Sequence, residues 1–271
     1  MLIALAACAV TLVGEADGAQ HQHTGRPATA FASRREDTST NWAGYVLAGS
    51  GTRYRKVSAS WVQPAVRCTT GTKSYSSMWV GIGGNADTSQ ALEQAGTDAD
   101  CTSRGTPRYA AWFEIIPAES IDVPLAVSPG DRIEVTVSVV GHRVSFVMRN
   151  ATRGTTFTKM LYASLVDTTS AEWIVEAPAL CNDASQCWTT RLADFGTVAF
   201  SNARAESVYG HAGSISDPRW SATSLNLVAR TTVLGGPGGV AKSLTHGAAV
   251  TSSPSASGRA FSVSYARGSL G

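Results

Sequence analysis

The chain has 271 residues, of which 43% are apolar and only 15% charged, with a formal net charge of +2. That is enough apolar material for one sizeable core, and a single all-β sandwich or barrel of this length is ordinary. Its Lys and Arg residues are scattered rather than gathered into a block, so charge makes no case for nucleic acid or an anionic membrane as partner.

Met1 to Val13 is an apolar run, shorter than the roughly 20 residues that span a bilayer. Small residues follow as far as Ala19, so residues 1–19 read as a secretory signal without the usual basic start. Residues 20–38 are polar, lack any period and carry the dibasic Arg34-Arg35. They read as a linker or short propeptide. Residues 39–271 are expected to form one domain, secreted, monomeric and free of the membrane once the signal is removed.

Export agrees with the cysteines. Cys8 falls in the signal, leaving Cys68, Cys101, Cys181 and Cys187. Cys181 and Cys187 flank the turn-like "NDASQ", so a local bridge is the natural pairing, and Cys68 with Cys101 follows. Four cysteines could also hold a metal, but no CxxC spacing is present.

From Ser39 onward strands and turns dominate. "DRIEVTVSVV" alternates, with Ile133, Val135, Val137 and Val139 in phase; "RVSFVMRN" does the same, and "NATRG" turns the chain into "TTFTKMLY". These are consecutive hairpins. Short runs of the same kind recur in "NWAGYVLAG", "YRKVSASWVQP", "SYSSMWVGIGG", "RYAAWFEIIP", "SAEWIVEAP", "SLNLVAR" and "RAFSVSYAR". No long helical period appears outside the signal, and the pattern predicts an antiparallel β-sandwich.

The residues for chemistry are narrowed by exclusion. Of the five histidines, His21 and His23 lie in the polar N-terminal stretch, and the body holds no HExxH, GxSxG or P-loop. Carboxylates and amides remain. Glu172 and Glu176 share a face of the "SAEWIVEAP" strand, but four residues of strand span about 13 Å. That is too far for a proton-sharing pair or for the carboxylates of most glycosidases. A catalytic acid there needs a partner from another strand. "RYAAWFEIIP" puts Trp112 and Glu114 on one face, and "QALEQAGTD" puts Leu92 and Gln94 together with Glu93 opposite. Joined to Glu176, these would form a polar, aromatic cleft; alternatively they are the wet faces of ordinary strands.

The motifs "NWAGYV", "WVGIGG", "ALEQAGTD", "RYAAWFEIIP", "SPGD", "NATRG" and "AEWIVEAP", in this order, resemble those of the glutamic peptidases, or eqolisins. The resemblance covers roughly Thr40 to Phe200. It implies a sandwich of two antiparallel sheets (concanavalin- or jelly-roll-like) and an extracellular endopeptidase active in acid on polypeptide substrates, without metal or other cofactor. Its Gln/Glu catalytic pair falls on Gln94 and Glu176, and its substrate cleft on Trp79, Asp98, Trp112, Glu114 and Trp42. In the family a cysteine-bounded loop also follows the catalytic strand, as the one holding Cys181 and Cys187 does here. Where fungal members carry acidic or aromatic residues, this chain has Gly83, Ala110 and Ile116. The competing expectation is a secreted sandwich that binds or cleaves glycans, with Glu114 and Glu176 as acid and base, and a lectin-like module comes third. Asn150-Ala-Thr is a glycosylation sequon.

Overall fold

The computed structural model describes residues 35–49, 51–86, 89–181, 187–229, 231–234, 242–245 and 247–267. The expected signal and the stretch up to Arg34 lie outside the described residues. The regular elements among the described residues are all strands: β1 (Arg35–Ser39), β2 (Trp42–Ala48), β3 (Tyr54–Val62), β4 (Ser77–Gly83), β5 (Leu92–Cys101), β6 (Pro107–Ile115), β7 (Ile121–Asp122), β8 (Arg132–Val140), β9 (Arg143–Asn150), β10 (Thr155–Tyr162), β11 (Ser170–Glu176), β12 (Ala179–Cys181), β13 (Cys187–Thr189), β14 (Thr197–Ser207), β15 (Ala212–Gly213), β16 (Ser221–Leu227), β17 (Thr231–Leu234), β18 (Lys242–Thr245), β19 (Ala248–Thr251) and β20 (Phe261–Ala266).

The main sheet is one continuous path, β10-β9-β8-β3-β14-β20-β19-β16-β2-β11-β4-β5-β6-β7. Its pairs are antiparallel apart from β1, which runs parallel along β16. Among the described residues strand pairing is already present at Arg35, inside the stretch that reads as linker. The path folds over so that its two halves face each other. Val57, Trp61, Val135, Phe146 and Phe200 from one half share a single apolar core with Tyr45, Val80, Ala95, Phe113 and Trp173 from the other. Phe113 stacks on Phe146 at 4.9 Å between ring centroids. Polar ties cross the same interface: the Trp61 indole donates to Thr97 Oγ1 at 3.0 Å, and the Trp173 indole to the Ser58 carbonyl at 2.9 Å. The result is the expected all-β sandwich, with its two layers drawn from one folded sheet.

The strands of the two halves differ in a way that locates function. In β8 and β9 burial alternates, with Ile133, Val135, Val137, Val139, Val144, Phe146 and Met148 inward. Alternation is what a sheet with one wet face requires. In β4, β5 and β11 every residue is buried. These strands are covered on both faces, and the face away from the main core carries a second apolar cluster of Trp42, Val46, Trp79, Leu92, Trp112, Ile174 and Leu225.

Cys68 and Cys101 form a disulfide across 33 residues of sequence, as expected. Cys181 and Cys187 stand opposite each other in the β12–β13 register; their side chains lie outside the described residues. Closing the Cys68–Cys101 loop, 33 residues of sequence, removes about 3–4 kcal/mol of unfolded-chain entropy on the loop-closure account. Reducing it, or replacing Cys68 and Cys101 by Ser, is expected to lower stability by that order in a chemical denaturation series. The sequon is not a free acceptor in the folded chain: Asn150 is buried, and its amide donates to the Ala126 carbonyl and to Asp131 Oδ2, both at 2.8 Å.

Candidate active site

The register of the fully buried strands sorts the candidate residues into three rows on the face away from the main core. The first row reads Trp42, Glu176, Ser77, Asp98 and Ala110 across β2, β11, β4, β5 and β6. The middle row reads Gly44, Ile174, Trp79, Gly96 and Trp112. The third reads Val46, Glu172, Gly81, Gln94 and Glu114. Polar groups thus flank a central apolar strip. Gly96 lies between Trp79 and Trp112, and a Cβ there would come within 2.2 Å of the Met78 carbonyl oxygen and 2.6 Å of Trp79 Cβ. Only glycine admits the backbone of β4 this closely.

Glu176 ends β11 and is fully buried. Both carboxylate oxygens are held: Asn41 Nδ2 donates to Oε1 at 3.2 Å, and the Trp79 indole donates to Oε2 at 2.9 Å. Two N–H donors, one on each oxygen, set the plane of the carboxyl group. Trp79 is itself steadied by an edge-on contact with Trp42, centroids 5.0 Å apart.

Gln94 is also fully buried. Its amide donates to Glu114 Oε2 at 2.5 Å. A carboxylate accepts only, so this bond fixes which end of the amide is nitrogen. The amide oxygen then points elsewhere and has no hydrogen-bond partner. The Trp42 indole N–H is likewise buried without one. Buried polar atoms left unpaired in a native site are where a ligand or water completes the bonding. Asp98 closes the other end of the strip, with Oδ1 accepting from Ser77 Oγ at 2.5 Å and from the Trp112 indole at 2.8 Å. Beside it, burial first and the Asp98 charge second push Asp100 well above the usual carboxylate range.

All seven residues named for catalysis and substrate contact therefore lie on one buried face. Glu176 and Gln94 stand in opposite outer rows, on β11 and β5 with β4 between them. The flat-sheet spacing of such positions is about 16 Å between backbones. Glu172 shares the Gln94 row, with the bare Gly81 between them. Sequence reasoning passed over Asn41 and Ser77. Asn41 opens the "NWAGYV" motif, but nothing in strand periodicity marks a turn residue as a partner of an acid 135 positions on. Gly83 has φ +88° and would drive a Cβ to 2.6 Å from the Asp167 carbonyl oxygen. Among the described residues no group of three or more His, Cys, Asp or Glu is arranged to hold a metal ion.

The two-layer β-sandwich is the fold of solved glutamic peptidases, and that is the class of protein to which the chain belongs. The description of the Peptidase A4 family matches residues 40–235, and the chain belongs to that family. It is 35% identical to aspergillopepsin-2 of Aspergillus niger over 197 residues, which is 64% of this chain and 66% of that protein. Among solved structures it is similar to scytalido-glutamic peptidase with a peptide-based transition-state analogue, at 26% identity and a TM-score of 0.62. That match covers 83% of this chain and 98% of the other. It is also similar to SCP-B, an eqolisin in complex with the tripeptide Ala-Ile-His, at 26% identity and a TM-score of 0.58 with the same coverage.

Proposed function

We propose that the chain is a secreted, acid-active endopeptidase in which Glu176 is general base and then general acid, Gln94 stabilises the oxyanion, and no metal takes part. The observation that carries this reading is the double N–H clamp on Glu176 opposite a buried amide whose oxygen is unsatisfied. In the proposed reaction both side chains reach inward from their outer rows over the apolar strip, so that the roughly 16 Å between backbones narrows to a gap that one water spans, donating one hydrogen to the Gln94 amide oxygen. Glu176 takes the other proton as the water oxygen adds to the scissile carbonyl. The charge on the carbonyl oxygen of the tetrahedral intermediate is met by the Gln94 amide N–H that Glu114 does not use. Glu176 returns its proton to the amide nitrogen as the C–N bond breaks, giving a carboxylic acid and an amine. Trp42, Trp79 and Trp112 supply apolar walls for an extended peptide, and Asp98 and Glu114 hold their neighbours in place. The solved relatives bind a peptide-based transition-state analogue and a tripeptide, which supports polypeptide substrates here.

The glycan reading required Glu114 and Glu176 to act as a pair. Glu114 is instead engaged with Gln94 and stands three strands from Glu176. The test is direct: the mature chain is incubated with an unfolded protein and with polysaccharide from pH 2 to 7, with and without chelator. Peptide cleavage confined to acid and indifferent to chelator is expected. Sugar release without peptide cleavage would replace the proposal.

A further inference from the structure

The turn between β1 and β2 reaches the proposed base in an unusual way. Ser39 Oγ accepts from the backbone N–H of Asn41 at 3.3 Å and from that of Trp42 at 3.1 Å. Its hydroxyl has one proton and two lone pairs. With both lone pairs engaged, the proton goes to Asn41 Oδ1, 3.1 Å away. That fixes the Asn41 amide, because its oxygen must face the hydroxyl and its nitrogen must face Glu176. The backbone is tied to the same place: the Ala177 N–H, one residue past Glu176, donates to the Asn41 carbonyl at 2.8 Å. Ser39 is anchored in turn, its carbonyl accepting from the Val228 N–H at 3.0 Å beyond the end of β16. Ser39, Asn41 and Glu176 are all buried, so water does not compete for these bonds.

We infer that Asn41, oriented by Ser39, is a positioning residue for the reaction: it holds Glu176 Oε1 so that the carboxylate presents a fixed lone pair to the attacking water. The inference rests on Glu176 being the base. It assigns a function to β1, a polar strand that would otherwise only line β16. It also separates two duties at Glu176. Trp79 is part of the substrate wall as well as a donor, whereas Asn41 lies under the carboxylate and touches it from the turn side.

The experiment measures kcat and KM for a peptide substrate across the acid range in Ser39→Ala, Asn41→Ala, Asn41→Asp and Glu176→Gln, with thermal melts confirming folding. Asn41→Ala is expected to lower kcat about tenfold to a hundredfold, the worth of one hydrogen bond to a charged group, with KM within a factor of two. Ser39→Ala frees the amide to turn over and should fall between that variant and the parent. Asn41→Asp is isosteric and donates only while its new carboxyl is protonated. Its activity should survive at the acid end and collapse as pH rises, a change in profile that a purely structural role does not produce. An Asn41→Ala kcat within twofold of the parent, or an Asn41→Asp profile superimposable on it, overturns the inference. If Glu176→Gln remains active, the general-base reading itself fails. If Glu176→Gln is inactive while the Asn41 variants behave as the parent, only the positioning role fails.

Discussion

Glu176→Gln is expected to lower kcat for peptide hydrolysis by about 10²–10⁴, the contribution of a positioned general base. The substitution keeps shape and removes charge. One amide end can still accept from Trp79 or from Asn41, but the other end then presents N–H to N–H. That mismatch costs about 1–3 kcal/mol of stability, so a thermal melt must accompany the assay to show that the variant is folded. Gln94→Ala should cost about 10²–10³ in rate through loss of the oxyanion donor. It also leaves Glu114 Oε2 without the amide it now binds. Because base and oxyanion donor act on one intermediate, the double variant should be little worse than the weaker single one. Measured kcat values that multiply cleanly would show that the two residues do not share a transition state, and a Glu176→Gln variant retaining a tenth of parental activity would show that Glu176 is not the base.

The strands β8 and β9 were readable because each has one wet face, and alternation follows directly from that; β10 was readable from the turn that leads into it, although neither of its faces is buried. The β11 strand was readable as a strand with Glu172, Ile174 and Glu176 in phase, but its burial on both faces was not, because the same residues could equally have formed a wet face. The longest strand, β14, escaped for a specific reason. It pairs with β3 in broken register between Ser201 and Arg204, and Asn202 there has φ +56°. Val198 and Phe200 point inward before the bulge, Ala203 and Ala205 after it, so the period of two shifts phase in mid-strand. β1 escaped because "REDTS" has the composition of a linker; its place comes from pairing along β16 rather than from any apolar face. At the site, residue types and faces were legible and the rows were not. Which strands neighbour β11 depends on long-range pairing, and periodicity carries no information about it. Spacing along one strand did exclude Glu172 as a close partner of Glu176. The register adds that Glu172 belongs to the opposite row, with Gln94.

The stability of the folded chain is expected to be greatest in acid and to fall steadily as pH rises from about 4.5 to 8. The cause is a pair of buried acids that the proposed mechanism does not use. Glu93 faces the core side of β5 and Glu172 the site side of β11; both are fully buried, and the N–H and hydroxyl groups near their carboxyls stand outside full hydrogen-bonding geometry and act on them only as nearby dipoles. Burial pushes Glu93 up to about 8; backbone N–H groups of Asp167 and its own pull the other way, and the Asp167 charge raises it further. Burial also raises Glu172 well above its ordinary range, against the pull of the Ser170 hydroxyl and with smaller contributions from Asp167 and Glu93. Asp167 is the half-buried member of the group, accepting from Ser89 Oγ, the Gly84 N–H and the Thr169 N–H. The sign follows from proton counts. Between 4.5 and 8 the folded chain keeps protons that the unfolded chain has released, so each rise in pH favours unfolding. For Glu93 alone the full span is worth about 5 kcal/mol. Asp131 limits the acid side. Burial alone would raise it, but hydrogen bonds from Arg153, Asn150 and the Ser128 N–H lower it, so its contribution is lost as pH falls below the ordinary aspartate range. Thermal melts at pH 4, 5.5, 7 and 8 should show a falling Tm. Glu93→Gln should match the parent near pH 4, where both side chains are neutral, and exceed it at pH 7, where only the parent must either ionise inside the core or hold a costly proton. A parent Tm that is flat from pH 4.5 to 8, or a Glu93→Gln variant with the parent's slope, would show that these acids reach water. Glu93 adjoins Gln94, so the ionisation that weakens the fold also bears on the strand that carries the oxyanion donor. An acid-confined activity would then have two separable sources, chemistry at Glu176 and integrity of β5, and Glu93→Gln is the variant that should widen the second without touching the first.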